Sequence, residues 1–218
     1  MVEPKLIVTN DGSHTLYSLG LDEIYHSKNG AVTESLHVFV KNGLRKVANA
    51  QVKIFEVGFG TGLNAFLTWK HKKPAQQIEY TGIETHPVKE EIFVQLNYAG
   101  NPVDKLLFNQ LHMAEWGKSV EIVTGFKLRK IQQSIENYVF DDKYDLVYFD
   151  AFAPGKQPEM WTSSIFANLY AAMSPNGILA TYTSKGDVRR NLLLVGFKVE
   201  KVPGPPGKRE MLVAYKML

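Results

Sequence analysis

The sequence predicts an α/β protein built on a mostly parallel sheet that is covered by helices. From residue 51 onward, short apolar segments alternate with stretches of helical periodicity, as in consecutive β/α units with right-handed crossovers. The segment Leu146-Val147-Tyr148-Phe149 is apolar without a break, which is typical of a strand buried on both faces. A glycine cluster follows the first of these strands, where open α/β sheets bind their ligands.

The size and composition of the chain are those of one globular domain. It has 218 residues, of which 44% are hydrophobic, and a formal net charge of +3. A chain of this length buries enough surface to hold its own core. The absence of cysteine excludes a disulfide scaffold, a cysteine-ligated metal site and a thiol nucleophile. The small positive charge permits an acidic partner without requiring one.

The sequence contains no pattern typical of a membrane span or an export signal. No apolar run approaches the roughly 18–20 residues that a membrane span needs. The first residues include Glu3 and Pro4, where a signal peptide would be continuously apolar. We therefore expect a soluble, cytoplasmic protein with no membrane partner.

The first fifty residues differ in pattern from the rest. Two short apolar segments flank Asn10-Asp11-Gly12-Ser13, a polar run that suits a tight turn and predicts a β-hairpin. Residues 32–41 place apolar side chains at four-residue spacing, which predicts a helix that ends at Asn42-Gly43. We expect residues 1–50 to form a small β-rich extension packed on the core domain of residues 51–218.

The core domain is predicted to contain seven strands with helices between them. The strands are expected at residues 52–57, 78–83, 120–123, 144–149, 177–182, 195–202 and 211–215. The first helix starts after the glycine cluster and stops before Pro74, and others are predicted at residues 87–99, 103–116 and 128–138. The run Pro203-Gly204-Pro205-Pro206-Gly207 predicts a rigid loop near the sheet edge.

The glycine cluster has the form E-x-G-x-G-x-G, with Glu56, Gly58, Gly60 and Gly62 at the fixed positions. A dinucleotide fingerprint would need a third glycine at position 63, which is Leu63 here. A triphosphate-binding loop would need Gly-Lys-Ser/Thr, which is also missing. Glycines still let the backbone approach a ligand closely. The spacing therefore favours a ligand other than a pyrophosphate or triphosphate.

Two acidic residues accompany this loop. Glu84 ends the second strand, where a carboxylate can accept both hydroxyls of a ribose. Glu56 ends the first strand, where an acid can meet a ligand ammonium. This combination predicts a nucleoside that carries positive charge, and S-adenosylmethionine has a ribose, a sulfonium and an ammonium. The alternative is an ordinary turn flanked by solvated acids.

Asp150 directly follows the most apolar strand and is predicted to lie beside the glycine loop. That position suits a general base or an acceptor that orients an amine. In the segment that follows, Phe152 offers a flat surface and Lys156 a cation, and Pro154 and Pro158 stiffen the loop. The alternative is that Asp150 caps a helix and that Trp161, later in the same segment, is a packing residue.

Basic residues cluster in two further segments. They are Lys185, Arg189 and Arg190 after the fifth strand, and Lys208 and Arg209 after the proline-rich loop. If they surround the end of the sheet that carries Asp150, they can contact nucleic-acid phosphates. For the lysines at residues 70–73 the simpler interpretation is a set of cations at a helix end. The six histidines are scattered, so we expect no metal site.

Four segments together form a recognisable set of motifs. They are Tyr25-His26-Ser27 with Glu34-Ser35-Leu36-His37-Val38-Phe39; Gly58-Phe59-Gly60-Thr61-Gly62-Leu63-Asn64; Asp150-Ala151-Phe152-Ala153-Pro154 with Pro158-Glu159-Met160-Trp161; and Lys185-Gly186 with Val188-Arg189-Arg190 and Gly207-Lys208-Arg209-Glu210-Met211-Leu212. In these motifs the sequence resembles the bacterial tRNA 5-methylaminomethyl-2-thiouridine methyltransferase family. This family comprises the methyltransferase domain of MnmC and its free-standing MnmD-type relatives.

The resemblance implies a class I, Rossmann-like methyltransferase with a seven-stranded mixed sheet and S-adenosyl-L-methionine as its cofactor. The implied reaction methylates the aminomethyl nitrogen on C5 of the tRNA wobble uridine. In bifunctional members a following oxidase domain makes that amine; here we expect no oxidase domain and a separate protein as the source of the amine.

The resemblance also assigns site residues. It places Tyr25, Phe59, Thr61, Asn64 and Asp150 at the cofactor together with the loop glycines. We further expect Asp150 to accept hydrogens of the substrate amine and to orient it. It further implies that the segment after the third strand, Thr124-Gly125-Phe126, lies near the adenine, where Phe126 is expected to stack on the ring.

Two other functions fit parts of the pattern. An aminopropyltransferase that acts on a small amine also needs a glycine loop and an aspartate after the fourth strand. A non-catalytic RNA-binding relative would keep the pocket without using it. Cofactor binding followed by a turnover assay on tRNA separates all three.

Overall fold

The computed structural model describes residues 3–217. A small antiparallel sheet comes first, formed by β1 (Lys5–Val8), β2 (His14–Ser18) and β3 (Glu23–Ile24). The hairpin predicted around residues 10–13 is confirmed, with Val8 paired to His14 across its turn. The helix predicted at residues 32–41 is also confirmed: α1 (Ala31–Ser35) continues without a break as a π-helix over Leu36–Lys41.

The main sheet has eight strands where seven were predicted. They are β4 (Gln51–Val57), β5 (Gln77–Glu84), β6 (Ser119–Val123), β7 (Phe126–Gln132), β8 (Tyr144–Phe149), β9 (Met173–Thr181), β10 (Lys198–Pro203) and β11 (Glu210–Tyr215). Their order is β10-β11-β9-β8-β4-β5-β7-β6. The five strands β7, β5, β4, β8 and β9 run parallel. The edge strand β6 is antiparallel to β7, and at the other side of the sheet β11 is antiparallel to both β9 and the edge strand β10. The α/β fold class is therefore right, although one strand was missed.

The missed strand is β7, where a helix was predicted over residues 128–138. Burial along β7 alternates, because Phe126, Leu128 and Lys130 point inward while Lys127 lies at the surface. This period of two is typical of a strand, and the helix predicted at residues 128–138 is wrong. A turn at Gly125, whose φ is +78°, closes β6 and β7 into a hairpin. Only a short 3₁₀ helix, Ile135–Asn137, stands in the predicted helical region.

Helices cover both faces of the main sheet. They are α2 (Leu63–His71), α3 (Glu90–Phe93), α4 (Pro102–Met113), α5 (Ser163–Ala172) and α6 (Gly186–Val195). The helix predicted at residues 87–99 is thus only four residues long. The sixth strand, predicted at residues 195–202, starts three residues later, because α6 extends to Val195 and Gly196 ends it with φ +109°.

A buried core lies on each face of the sheet. The N-terminal segment contributes to one of them: Phe39 packs against Tyr148 of the central strand β8, with ring centroids 5.0 Å apart. Residues 1–50 as a separate extension remain a prediction. Within residues 3–217 the helices are too short or too polar to cross a membrane.

Candidate active site

A cleft of about 860 Å³ opens at the carboxyl ends of the parallel strands. The loops after β4, β5, β7 and β8 form its walls, and the turn after β3 closes one side. Residues that were predicted for the site and line the cleft are Tyr25, Gly58, Phe59, Gly60, Thr61, Asn64, Glu84, Asp150 and Phe152. This is the position at which open α/β sheets bind ligands.

The glycine loop is held by its neighbours in the sheet. The backbone N–H groups of Gly58 and Phe59 both donate to the carbonyl of Ile83, at 3.0 and 3.1 Å. Gly58 has a φ of +87°, and a Cβ at this position would lie 2.6 Å from the carbonyl oxygen of Asp150. Glycine is therefore required here both for the backbone angle and for the close approach of the loop to β8.

The far side of the loop rests on α4. His112 contacts the carbonyl of Thr61 through Nε2 at 3.0 Å, and its ring stacks on Phe93 at 4.2 Å. Burial lowers the pKa of His112 to about 3, so the ring is neutral and donates to that carbonyl. The Thr61 hydroxyl faces the buried His26 ring at 3.5 Å. The side chain of Thr61 thus supports the loop from behind.

Glu84 lies where β5 ends, next to the glycine loop. One carboxylate oxygen accepts the N–H of Gly60 at 3.1 Å, and the other accepts the N–H of His86 at 2.8 Å. Burial raises the pKa of Glu84, while these two hydrogen bonds act in the opposite direction. The carboxylate is therefore fixed in orientation at the edge of the cleft.

Glu56 differs from the prediction. Its side chain is completely buried and does not line the cleft, so the expected direct contact with a ligand ammonium is wrong. The reason is the alternation along β4, which turns Glu56 under α2. Asn64 joins it to the cleft: the amide donates to Glu56 at 2.9 Å and to Asp150 at 2.8 Å. Burial raises the pKa of Glu56 well above its usual range.

Asp150 lines the cleft and directly follows β8. Its backbone N–H donates to the carbonyl of Val57 at 3.0 Å, which places it beside the glycine loop. Burial and the charge of Glu34 raise the pKa of Asp150 to about 7, while Asn64 and Lys208 act in the opposite direction. A carboxyl group with a pKa near neutrality can accept or release a proton under physiological conditions.

Aromatic rings lie on either side of Asp150. Tyr25 meets Phe152 edge to face, with ring centroids 4.9 Å apart, and both line the cleft. Trp161 is a packing residue, as the alternative interpretation held: it is 3% exposed and donates through Nε1 to the carbonyl of Phe152 at 2.8 Å. Lys156 lies outside the cleft lining and pairs with Asp22 at 3.3 Å.

The predicted basic residues fall into two groups. Lys185, Arg189 and Arg209 form no ion pair with an acid among the described residues, and we refer to these three as the basic rim. They lie at the carboxyl end of β9 and in the loop before β11, at the same sheet end as Asp150. Arg190, in contrast, pairs with Asp187 one turn away.

Lys208 differs most from its predicted role as a phosphate contact. Its ammonium points inward, 2.7 Å from Glu34, and lies 4.1 Å from the centre of the Tyr182 ring. A cation that is already neutralised by a buried carboxylate is a poor partner for phosphate. The expected phosphate contact is therefore replaced by an internal ion pair.

Phe126 is also a correction. It is completely buried at the start of β7, opposite Ile78, and stacks on Tyr80 with centroids 6.0 Å apart. This is the end of the sheet away from the cleft, so Phe126 cannot contact a ligand there. The error follows from the missed strand, because the parallel neighbour of β5 is β7 and not β6.

The segment that follows β7 was consequently missed. Gln132, Gln133, Ser134 and Ile135 line the cleft beside Glu84, together with Trp116. The N–H of Gln133 donates to the carbonyl of Glu84 at 3.1 Å, which connects the two walls. The alternation of apolar and charged residues from 126 to 129 was the signal that could have located this segment.

Comparison with known proteins identifies relatives in sequence. Residues 90–217, more than half of the chain, match a family described as S-adenosyl-L-methionine-dependent methyltransferase. The chain is similar to two proteins named tRNA 5-methylaminomethyl-2-thiouridine biosynthesis bifunctional protein MnmC. That of Cupriavidus metallidurans is 31% identical over 95% of this chain and 33% of its own length. That of Cupriavidus necator is 33% identical over 91% of this chain and 32% of its own length. The chain thus spans about a third of the length of these relatives.

Solved structures support the same relationship. The crystal structure of MNMC2 from Aquifex aeolicus superimposes with a TM-score of 0.82 at 28% identity, over 99% of this chain and 71% of that one. A methyltransferase from Pyrococcus furiosus, 19% identical, shares the fold with a TM-score of 0.56 over 92% of this chain and 91% of that one. The class I methyltransferase fold and the family resemblance predicted from the motifs are both confirmed.

Proposed function

Because the chain belongs to the S-adenosyl-L-methionine-dependent methyltransferase family, we propose that it transfers a methyl group from that cofactor to the aminomethyl nitrogen on C5 of the wobble uridine in tRNA. The proposal extends to this chain what the names of its MnmC relatives state about them. It is supported by the arrangement of the cleft, which brings a cofactor wall and an acceptor wall together at one sheet end.

The cleft residues fit S-adenosyl-L-methionine. The oriented carboxylate of Glu84 is placed to accept the ribose hydroxyls, and the segment of residues 132–135 beside it provides a place for the adenine. The glycine loop leaves room for the remainder of the cofactor, because no Cβ projects from Gly58 or Gly60. The amide of Asn64, which donates to the buried Glu56 and to Asp150, provides a polar group in the cleft between the glycine loop and Asp150.

The bound cofactor supplies an electrophilic methyl group: the amine nitrogen forms the new C–N bond as the C–S bond breaks, S-adenosylhomocysteine leaves, and the methylated nitrogen then loses one proton. Only a neutral amine has the lone pair for this attack. Asp150 is placed to accept hydrogens of the amine, to aim its lone pair at the methyl group and to take up a proton. Fixing two reactants in this way can contribute about 7–11 kcal/mol towards the barrier.

The uridine and its tRNA are proposed to approach from the side of Phe152 and the basic rim. Phe152 and Tyr25 offer aromatic surface for a base that is turned out of its stack. Lys185 lies next to the loop after Asp150, since a Cβ on Gly155 would be 3.5 Å from its ammonium. Lys185, Arg189 and Arg209 can then hold phosphates around the cleft. We propose a cytoplasmic reaction that receives its amine from a separate enzyme.

The position of Asp150 carries this proposal: a carboxyl group with a pKa of about 7 lies on the cleft, one hydrogen bond from Asn64 and beside the glycine loop. The direct test incubates the purified chain with S-adenosyl-L-methionine and tRNA bearing 5-aminomethyl-2-thiouridine. Mass spectrometry of the nucleosides should show a gain of one methyl group at the wobble position.

Two matched substrates make this assay decisive. The same tRNA without the aminomethyl group should remain unmethylated. A polyamine supplied with decarboxylated cofactor should give no product, whereas product there would indicate the aminopropyltransferase. Cofactor and tRNA binding without any methyl transfer would indicate the non-catalytic RNA-binding alternative.

A further inference from the structure

Two segments that are far apart in sequence meet beside Asp150. The first is the turn and the first helical residues at positions 27–37, and the second is the loop at residues 203–209. His37 Nε2 donates to the carbonyl of Pro203 at 2.8 Å, and Gly207 packs so closely on Asn29 that a Cβ would not fit between them. The ion pair between Glu34 and Lys208, at 2.7 Å, is the charged contact between the two segments.

This pair is more buried than a surface ion pair. The side chain of Glu34 is 9% exposed and that of Lys208 is 32% exposed. The second carboxylate oxygen of Glu34 accepts the backbone N–H of Ser27 at 2.7 Å, so the carboxylate is held from both sides. Most other ion pairs in the described part of the chain have both partners well exposed, as in Lys89–Glu3, whose side chains are 61% and 64% exposed. Burying a charged pair has a free-energy cost that a surface pair avoids. This cost favours a specific role for the Glu34–Lys208 pair.

A short chain of contacts connects Lys208 to Asp150. The ammonium lies 4.1 Å from the centre of the Tyr182 ring, and the Tyr182 hydroxyl donates to the carbonyl of Ala151 at 2.8 Å. Ala151 is the residue after Asp150, so the position of Lys208 is fixed relative to the carboxyl group that we assign to the amine. Both members of the pair act electrostatically on Asp150, with opposite sign.

The charged and titratable groups that face Asp150 come from five elements. Besides Glu34 of α1 and Lys208 of the loop before β11, they are Glu56 of β4, Tyr80 of β5 and Tyr182 after β9. Burial raises the pKa of Glu56, Tyr80 and Tyr182, which favours their neutral forms. The Glu34–Lys208 pair therefore supplies the main opposing charges next to Asp150.

We infer that Glu34 and Lys208 are positioning residues that set the protonation state of Asp150 by opposing each other across the acceptor side of the cleft. The negative charge of Glu34 increases the proton affinity of Asp150, and the positive charge of Lys208 limits this increase so that Asp150 can also lose its proton. This inference rests on the proposed function, because it is Asp150 in its role towards the amine that the pair adjusts. It makes the N-terminal segment a part of the catalytic apparatus through charge, without a contact to the reacting atoms.

The test titrates Asp150 directly in the full chain. Side-chain carboxyl carbons of aspartate are labelled with carbon-13, and the Asp150 signal is assigned by its loss in Asp150→Asn. Glu34→Gln leaves the Lys208 cation unopposed and should lower the pKa of Asp150 by about one pH unit. Lys208→Met leaves the Glu34 anion unopposed and should raise it by about as much. The pH at which single-turnover methylation reaches half its maximum should move in the same two directions.

Glu210→Gln is the matched control, because it breaks the pair between Lys201 and Glu210 on the neighbouring strands β10 and β11, which has no buried carboxylate, and should move neither titration. Lys208→Gln, which keeps a donor towards Glu34, takes the place of Lys208→Met if that variant does not fold. Opposite movements in the two variants support the inference. No movement, or movement in the same direction, overturns it. If the titrations move as expected but wild-type chain does not methylate tRNA, the proposed function fails while the electrostatic inference stands.

Discussion

On one side of the cleft, the glycine loop and Glu84 come from a single β–α–β unit, residues 51–84, and are fixed by backbone hydrogen bonds between adjacent strands. On the other side, Asp150 follows β8, Glu34 belongs to α1, and Lys208 lies in the loop before β11. The part of the cofactor side that the glycine loop and Glu84 form is therefore local in sequence, whereas the acceptor side is assembled from three distant segments.

This difference has a physical basis. The cofactor side binds a small molecule through backbone groups, so glycines at fixed spacing and one carboxylate are sufficient for binding. The acceptor side must handle a proton, and the pKa of Asp150 near neutrality results from burial together with charges that come from other segments of the chain. We expect substitutions on the cofactor side to change binding and substitutions on the acceptor side to change the rate.

The largest expected effect concerns Asp150. Asp150→Ala should lower single-turnover methylation of tRNA bearing 5-aminomethyl-2-thiouridine by about 10²–10⁴-fold, which is typical for a positioned acid–base group. Cofactor and tRNA affinities should change little. Asp150→Asn keeps one acceptor oxygen and should lose less.

The pH dependence follows from the pKa of about 7 of Asp150. Asp150 accepts hydrogens in its ionised form, so the wild-type rate should rise with pH through about 7 and then level off. In Asp150→Asn the rate should continue to rise at higher pH, as the free amine loses its own proton. A loss of cofactor binding in both variants would instead assign Asp150 to the cofactor side and would contradict the division of the cleft into two sides with different tasks.

The next effect concerns Glu84. Glu84→Ala removes a charged acceptor for two ribose hydroxyls, at about 1.5–3 kcal/mol per hydrogen bond, so calorimetry should show cofactor affinity reduced at least tenfold. Methylation should recover at saturating cofactor, in contrast to Asp150→Ala. Glu79→Gln is the matched control, because Glu79 lies on the same strand but is exposed at the far end and pairs with Lys53. Unchanged affinity in Glu84→Ala would contradict the assignment of the ribose.

The accuracy of the predictions from the sequence also differs between the two sides of the cleft. The β4 strand, its glycine loop and Glu84 were located correctly, because they are contiguous and follow the rules of α/β sheets. The β7 strand was missed because Lys130, which forms no ion pair with a carboxylate within residues 3–217, is buried beside Phe59 and Trp116. A buried lysine hides an otherwise regular alternation. That error moved the predicted adenine contact to Phe126.

The acceptor side could be predicted only in part. Asp150 was identified by its place after an apolar strand, which is again a local signal. The ion pair between Glu34 and Lys208 joins residues 174 positions apart, and nothing in either segment alone specifies the partner. Likewise, the position of Glu56 in the motif was predicted correctly, but its contact with a ligand ammonium was not, because the direction of its side chain depends on packing against α2.

The smallest expected effects concern the basic rim, and they separate it from Lys208. Lys185→Ala, Arg189→Ala and Arg209→Ala should each weaken tRNA binding and reduce the slope of log affinity against log salt by about one unit for each phosphate contact that is lost. Lys208→Met should leave that slope unchanged and lower the methylation rate at physiological pH, because its charge acts on Asp150 and Glu34. Lys198→Ala is the control, since Lys198 pairs with Tyr215 at the opposite end of the sheet and forms a surface ion pair with Glu200 that contributes little. Filter binding at several salt concentrations measures all five variants. A slope that falls in Lys208→Met as much as in the three rim variants would place Lys208 on the tRNA-binding surface. The charge of Lys208 would then serve to bind tRNA, as the basic rim does, and not to set the pKa of Asp150.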